Sequence, residues 1–553
     1  MRRPRPRLVA LLFVALLAVT SCEDSSEGEA SEPSSRPTSS STATPGASPS
    51  PETTATGSVL RVAVQEPAVL DPMRVQDPAS VLIVRQLFES LTRWDQQQKE
   101  VVPAAAESWR TRDGAKTFVF DLREGMTFHD GTPVTSQDFA VAFDRIAQRA
   151  NAADVAYTLE LVKGFDEVNQ FGTADHLEGI TTPDDKTLVV KLTTPYQDFP
   201  AVMTHPALVP ITPGTLQNID AFLTEPVGNG PFQMAAPWSS GSAIELTAFD
   251  GFYEPPSIAG SRFIPFPDAA VSWLQFLDDE IDVAEVPSSE VESAGEEFGD
   301  DGFQPLLAAY YFGINLDSPG FSDRRLRIAV NRAIDRDAIA DDIYKGTMAP
   351  PRGILPEGMP GFGADVCKAL CEHSPSSVRR SIKKLPQRDR TVTIDFTKGD
   401  PHGAVARSVQ KDLKAVGLDV KIQGHGFNKY LELLRAEKSS LYRLGWIAEY
   451  PSPDVFLSPL FGSGSPDNHS SFASNKVDDL LDRAREAGPA AKQLSLYRRA
   501  EKEILKGVPI VPIGTFASFW AARPEVSGLR FDVMGGFDAA AASIDAPDEG
   551  DEE

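Results

Sequence analysis

A single carboxylate, Glu449, stands between Ala448 and Tyr450, three residues after Trp446, within the stretch 441–461 (LYRLGWIAEYPSPDVFLSPLF). A carboxylate beside two aromatic rings is costly to bury unless a cation meets it. It is therefore either a solvated loop charge or one half of a charge-assisted contact. The residues before it read as a strand, and Gly445-Trp446 and the prolines Pro451 and Pro453 suit a rigid turn at a cleft edge. Signatures of catalysis are missing: there is no GxSxG and no HExxH. Paired carboxylates carry no weight in a chain with 79 acidic and 53 basic residues, and the net charge of −26 argues against a nucleic-acid partner. The 553 residues leave room for two or more lobes. No enzymatic activity, cofactor or metal is expected.

At the N-terminus, Arg2, Arg3, Arg5 and Arg7 precede an apolar run, 8–19, of signal-peptide length, too short for a comfortable membrane span. The run ends in Val19-Thr20-Ser21-Cys22, which resembles a bacterial lipobox. That resemblance implies a signal peptide at 1–21 and a diacylglycerol thioether on Cys22, whose acyl chains hold the protein on the extracytoplasmic face of the cell membrane. Residues 22–57 are Ser, Thr, Pro and Glu with almost nothing apolar, a composition expected of a disordered tether. In an exported protein, Cys367 and Cys371 (CKALC) are expected to form a disulfide. His373 nearby raises a metal site as the alternative, but no fourth ligand is evident.

The body begins with a strand at 59–65, followed by helical spacing over 79–91 and a hairpin of 116–122 with 126–128. A helix at 137–149 follows, with Thr135 or Ser136 as N-cap. One long helix is predicted over 323–345, its apolar positions Leu326, Val330, Ala333 and Ile334 facing one way. Strand 391–396, helix 404–416 and strand 418–422 favour a parallel α/β lobe. Helices at 477–486 and 492–505 precede a strand at 508–513, and the acidic end, 541–553, reads as a disordered tail.

Seven stretches, taken in order, resemble the oligopeptide/dipeptide family of solute-binding lipoproteins that serve ABC importers. They are EPAVLDP, LFESLTRWD, PAAAESWRTRDGAKTFVFDLREGMTFHDGTPVTSQDFAVAFDR, GNGPF, FGINLDSPGFSDRRLRIAVNRAIDRDAI, GWIAEYPSPDVFLSPLF and PIVPI. The resemblance implies a mixed α+β and α/β body, a two-lobe, three-domain periplasmic-binding-protein-like fold with a hinge between the lobes. Lobe 1 would take 58–308, with domain II at about 89–205. Lobe 2, domain III, would take 309–507, and 508–540 would return to domain I. The implied partners are a peptide ligand and an ABC permease with its ATPase subunits, and the implied state is a monomer. In the family's pattern, the acid after Gly-Trp meets the ligand's α-ammonium; here it is Glu449, where relatives more often carry Asp, and Ser452 stands where they often have a second acid. By the same resemblance Trp446 and Tyr450 wall the amino end, and Arg443 meets the ligand carboxylate. Tyr311 lines the pocket, the loop 76–79 with Gln76 pairs the peptide backbone, and His129 and His205 are structural. Relatives that bind nickel chelates, sugars or opines, or that act as receptors, define the alternatives.

Overall fold

A computed structural model describes residues 57–545 with the exception of residue 400. The expectations for the signal peptide, Cys22 and the tether up to residue 56 lie outside the described residues. One large sheet runs through both lobes. Its lobe-2 half orders the strands Asp419–His425, Thr391–Thr397 and Leu441–Ile447, and its lobe-1 half orders Val283–Glu285, Val59–Val64, Gly260–Pro265, Ile244–Ala248 and Phe232–Met234. Between the halves lie two long strands, Phe303–Ile314 and Ile510–Ala522. They pair with each other antiparallel, but the register shifts between Pro305 and Ala309 and again between Tyr310 and Tyr311. One strand of the pair continues into each half: Tyr310–Gly313 lies beside Tyr442–Gly445, whereas Trp520–Ala522 lies beside Val283–Glu285. An irregular register bends a strand, so the two crossings carry their bend where the lobes join.

The lobe-2 half buries both faces, and the strand period of two divides its side chains. Tyr311, Tyr442 and Leu444 pack under the helices Asp454–Phe461, Asn475–Glu486 and Ala490–Gly507. Tyr310, Phe312, Ile314 and Leu441 pack under Arg324–Ala333 and His402–Ala415. Strand Thr391–Thr397, helix His402–Ala415 and strand Asp419–His425 form the parallel unit read from the sequence. In lobe 1 a separate four-stranded sheet places Ala106–Arg112, Thr117–Leu122, Thr187–Lys191 and Ile180–Asp184 side by side. Helix Ser136–Ala147 covers it, opened by a capping box between Thr135 and Asp138.

Several sequence expectations are corrected. The helix foreseen at 323–345 is two, Arg324–Ala333 and Arg336–Asp342. Ile334 is extended, and Asp335 caps the second helix by accepting from Ala338 N. The buried Arg336 guanidinium then takes the carbonyls of Asn331, Ile334 and Pro512, which satisfies the interrupted backbone. The strand Thr117–Leu122 pairs with Ala106–Arg112 and Thr187–Lys191, not with 126–128, where only an isolated bridge joins Thr127 to Pro133. Residues 541–545 are not tail: Ser543–Ile544 pairs with Val526–Ser527, and Ala542 is buried. The segment 76–79 is not an open loop, because Asp77 caps the helix Pro78–Leu87 and accepts from Ser80 N. Cys367 and Cys371 are joined in a disulfide with a Cα–Cα distance of 5.5 Å. His373 Nδ1 faces Asp335 at 3.4 Å, and no cluster of three metal-ligating side chains occurs among the described residues.

Candidate functional site

The strand Leu441–Ile447 delivers Glu449 to the seam between the lobes. Its last turn is fixed by the Ala448 amide, which donates to Leu307 O on the crossing strand at 2.7 Å. After Glu449 the chain is stiffened by Pro451 and Pro453 and by bonds from Ser452 N to Tyr450 O and from Asp454 N to Ser452 Oγ. Asp454 then opens the next helix, held by Ser458 Oγ at 2.5 Å and by Arg485 at 2.9 Å. A rigid strand and a rigid helix thus bracket a six-residue corner.

Glu449 is accessible to solvent and makes no hydrogen bond or ion pair among the described residues. Protein surrounds it closely enough that desolvation alone pushes its carboxyl up to about 8. That combination, reachable yet poorly solvated and without a cation, belongs to a group awaiting a partner. Its neighbours are committed elsewhere. Trp446 is half-buried, its indole N–H donating to Val455 O at 2.6 Å. Tyr450 crosses to lobe 1, packing against that lobe's core and meeting Tyr196, hydroxyl to hydroxyl, at 3.1 Å. Ile447, next to the turn, leaves 50% of its surface exposed.

A second carboxylate on the seam escaped sequence reasoning. Asp198, in the segment leaving the four-stranded sheet, accepts from Ser452 Oγ at 2.5 Å, Gln493 Nε2 at 2.7 Å and Tyr497 OH at 3.3 Å, all three in lobe 2. Burial pushes it up to about 6 in spite of these bonds. Beside it Gln197 N donates to Arg485 O at 2.8 Å. Ser452, where an acid was expected by resemblance, thus serves an acid supplied from the other lobe. The oddity at 452 was the only signal available in the sequence.

Arg443 and Trp446 leave the same strand on opposite faces. Arg443 is 3% exposed, lies 4.6 Å over the Tyr310 ring, and has its Nε without an acceptor and no acidic partner among the described residues. His402 Nδ1 lies 3.5 Å from Tyr310 OH, and burial, with the charge of Arg443 second, pushes it down to about 3. Tyr311 is a core residue, 5% exposed. Gln76 is half-buried just before the Asp77 cap. His205 and His129 are both pushed down by burial, and His129 is fastened to Gly228 and Gly230 backbone.

Two α/β lobes joined by two crossing strands, with the unpaired Glu449 carboxylate at their seam, define a ligand-binding protein of the periplasmic-binding type. The chain belongs to the bacterial extracellular solute-binding proteins, family 5, whose middle-region profile matches residues 100–468. It is similar to the oligopeptide-binding protein OppA of Bacillus subtilis (strain 168), 23% identical over 84% of this chain and 88% of that one. It is also similar to the probable deoxycholate-binding periplasmic protein YgiS of Escherichia coli (strain K12), 27% identical over 84% of this chain and 89% of that one. Among solved structures, the unliganded open form of the periplasmic murein tripeptide binding protein MppA superposes with a TM-score of 0.78 at 22% identity, covering 89% of this chain and 98% of that one. This likeness establishes the fold. No helix among the described residues is long and apolar enough to cross a membrane.

Proposed function

We infer that this solute-binding protein captures peptides between its lobes and delivers them to an ABC importer from the extracytoplasmic face of the membrane, anchored through Cys22. The observation that carries the reading is the unpartnered Glu449 carboxylate on a rigid corner of the seam. A peptide α-ammonium supplies the missing cation, and the contact is charge-assisted. Arg443 is the matching group for the opposite pole, a guanidinium that lacks a carboxylate, with His402 beside it. Trp446 and Tyr450 limit water at the amino end, and Gln76 is the lobe-1 residue assigned to the peptide backbone. Tyr311 supports the pocket from within the core. In this reading lobe 1 spans 58–308 with domain II at about 89–205, lobe 2 spans 309–507, and the chain returns to domain I from 508; the protein acts as a monomer and catalyses nothing.

A second reading has its own support. A carboxyl pushed up to about 8 is largely protonated at neutral pH in the empty cleft, and a protonated acid can hydrogen-bond an uncharged or anionic solute as well. A relative named as a probable deoxycholate-binding protein, beside relatives named for peptides, supports this reading. Calorimetric titration with a di- to hexapeptide library, beside a bile acid, a sugar and a nickel chelate, separates the two. Saturable peptide binding lost on N-terminal acetylation is expected. Binding only of a non-peptide solute would replace the first reading with the second.

A further inference from the structure

On lobe 2, sharing no residue with the Glu449 corner, four segments line an open groove of about 650 Å³. Helix Arg324–Ala333 presents Arg324, Ile328 and Arg332 at successive four-residue steps, hence on one face. Helix Asn475–Glu486 adds Lys476 and Leu480. Helix Ala490–Gly507 adds Arg499, Lys502, Leu505 and Lys506. The fourth wall is the turn at 365–370, stapled by the Cys367–Cys371 disulfide. Six cations therefore converge from stretches far apart in sequence, against two acids, Asp365 and Glu503, in a chain where acids outnumber bases 79 to 53.

Internal pairing does not use up this charge. Lys476 and Lys506 share Glu503, at 2.9 and 2.7 Å. Arg332 reaches Glu372 at 3.1 Å, yet its Nε is buried without an acceptor. Arg324 Nε donates to Lys506 O at 2.7 Å, but Arg324, Arg499 and Lys502 form no salt bridge among the described residues. Like charges brought to one groove gain nothing for the fold; all but the half-buried Arg332 are exposed and reachable, so their convergence fits an anion from outside. The floor is aliphatic, Ile328, Leu480 and Leu505, which calls for an apolar body behind the charged head.

We propose that this groove binds an amphipathic anion, a carboxylate or phosphate head on an aliphatic chain, with the head at Arg324, Arg499 and Lys502 and the chain along Ile328, Leu480 and Leu505. The test is calorimetric titration of the full chain with monomeric decanoate and decyl phosphate, below the concentration of micelle formation. Binding is expected to tighten about threefold to fourfold per methylene from octanoate to dodecanoate. It is expected to weaken by about tenfold or more in the double variant Arg499→Glu/Lys502→Glu, and to be unchanged in Glu449→Gln. Phosphatidylglycerol vesicles then distinguish the source of the anion. Co-sedimentation reduced by the double variant assigns it to a bilayer lipid, and co-sedimentation unchanged by the double variant assigns it to a free amphiphile. Absence of saturable binding of both probes, or equal binding by the double variant, overturns the proposal. Binding lost in Glu449→Gln instead places the ligand in the cleft and overturns it equally.

Discussion

Two carboxylates share the seam between the lobes and differ in their partners and in their exposure. Asp198 and Glu449 are both raised by desolvation, to about 6 and about 8. Asp198 has three donors from the opposite lobe, whereas Glu449 has none among the described residues. The difference separates a group that holds the protein together from one that is kept ready for something else. A buried acceptor that is fully matched contributes to the packing of the lobes, whereas Glu449 stays reachable by solvent in a poorly solvated site with no protein partner among the described residues. The two sites are coupled by the corner itself, since Ser452, which serves Asp198, follows Glu449 by three residues.

The sharpest break in this comparison is Asp198→Ala. It leaves Gln493, Tyr497 and Ser452 without their shared acceptor, and is expected to destabilise the ligand-free protein by roughly 2–3 kcal/mol, read from the shift of the urea midpoint. Glu449→Gln should do the reverse, lowering peptide affinity about tenfold to a hundredfold, the worth of a charge-assisted bond, without loss of stability. A stability loss in Glu449→Gln comparable to that of Asp198→Ala would erase the distinction between the two sites.

The distinction also has a pH signature. Glu449 in the fold holds its proton to about 8, far above an unfolded glutamate near 4.5. The folded state therefore binds more protons than the unfolded state between those values, and stability falls as pH rises through that window. Glu449→Gln removes the penalty, so the variant should gain on the parent protein steadily from about pH 5 to pH 8 in thermal unfolding. Smallest is Ser452→Ala, which removes one of three donors to Asp198 and should cost about 1 kcal/mol, with peptide affinity little changed.

The corner around Glu449 was legible because its signals are local. Strand Leu441–Ile447 is an apolar run that ends in Gly-Trp and a proline-rich turn, and Thr391–Thr397, His402–Ala415 and Asp419–His425 announce a parallel unit within 35 residues of chain. Asp198 was not legible, since its partners lie 254 to 299 residues away. No local pattern distinguishes it from other acids in so acidic a chain. The break at Ile334–Asp335 was missed for a related reason. The apolar spacing continues across it, and the interruption is stabilised by Arg336 reaching Pro512 O on a distant strand. Tyr311 is positioned by pairing with Leu444, a partner far along the chain that no local pattern announces.

The central claim is that Glu449 gives up its proton to receive a ligand's cation. It is tested most directly by titrating peptide into the protein at pH 7 in buffers of different ionisation enthalpy. With a carboxyl near 8 in the empty cleft and ionised in the complex, about 0.5–0.9 proton should leave per peptide bound, and none in Glu449→Gln. No net proton release by the parent protein, or the same release by the variant, would contradict the account.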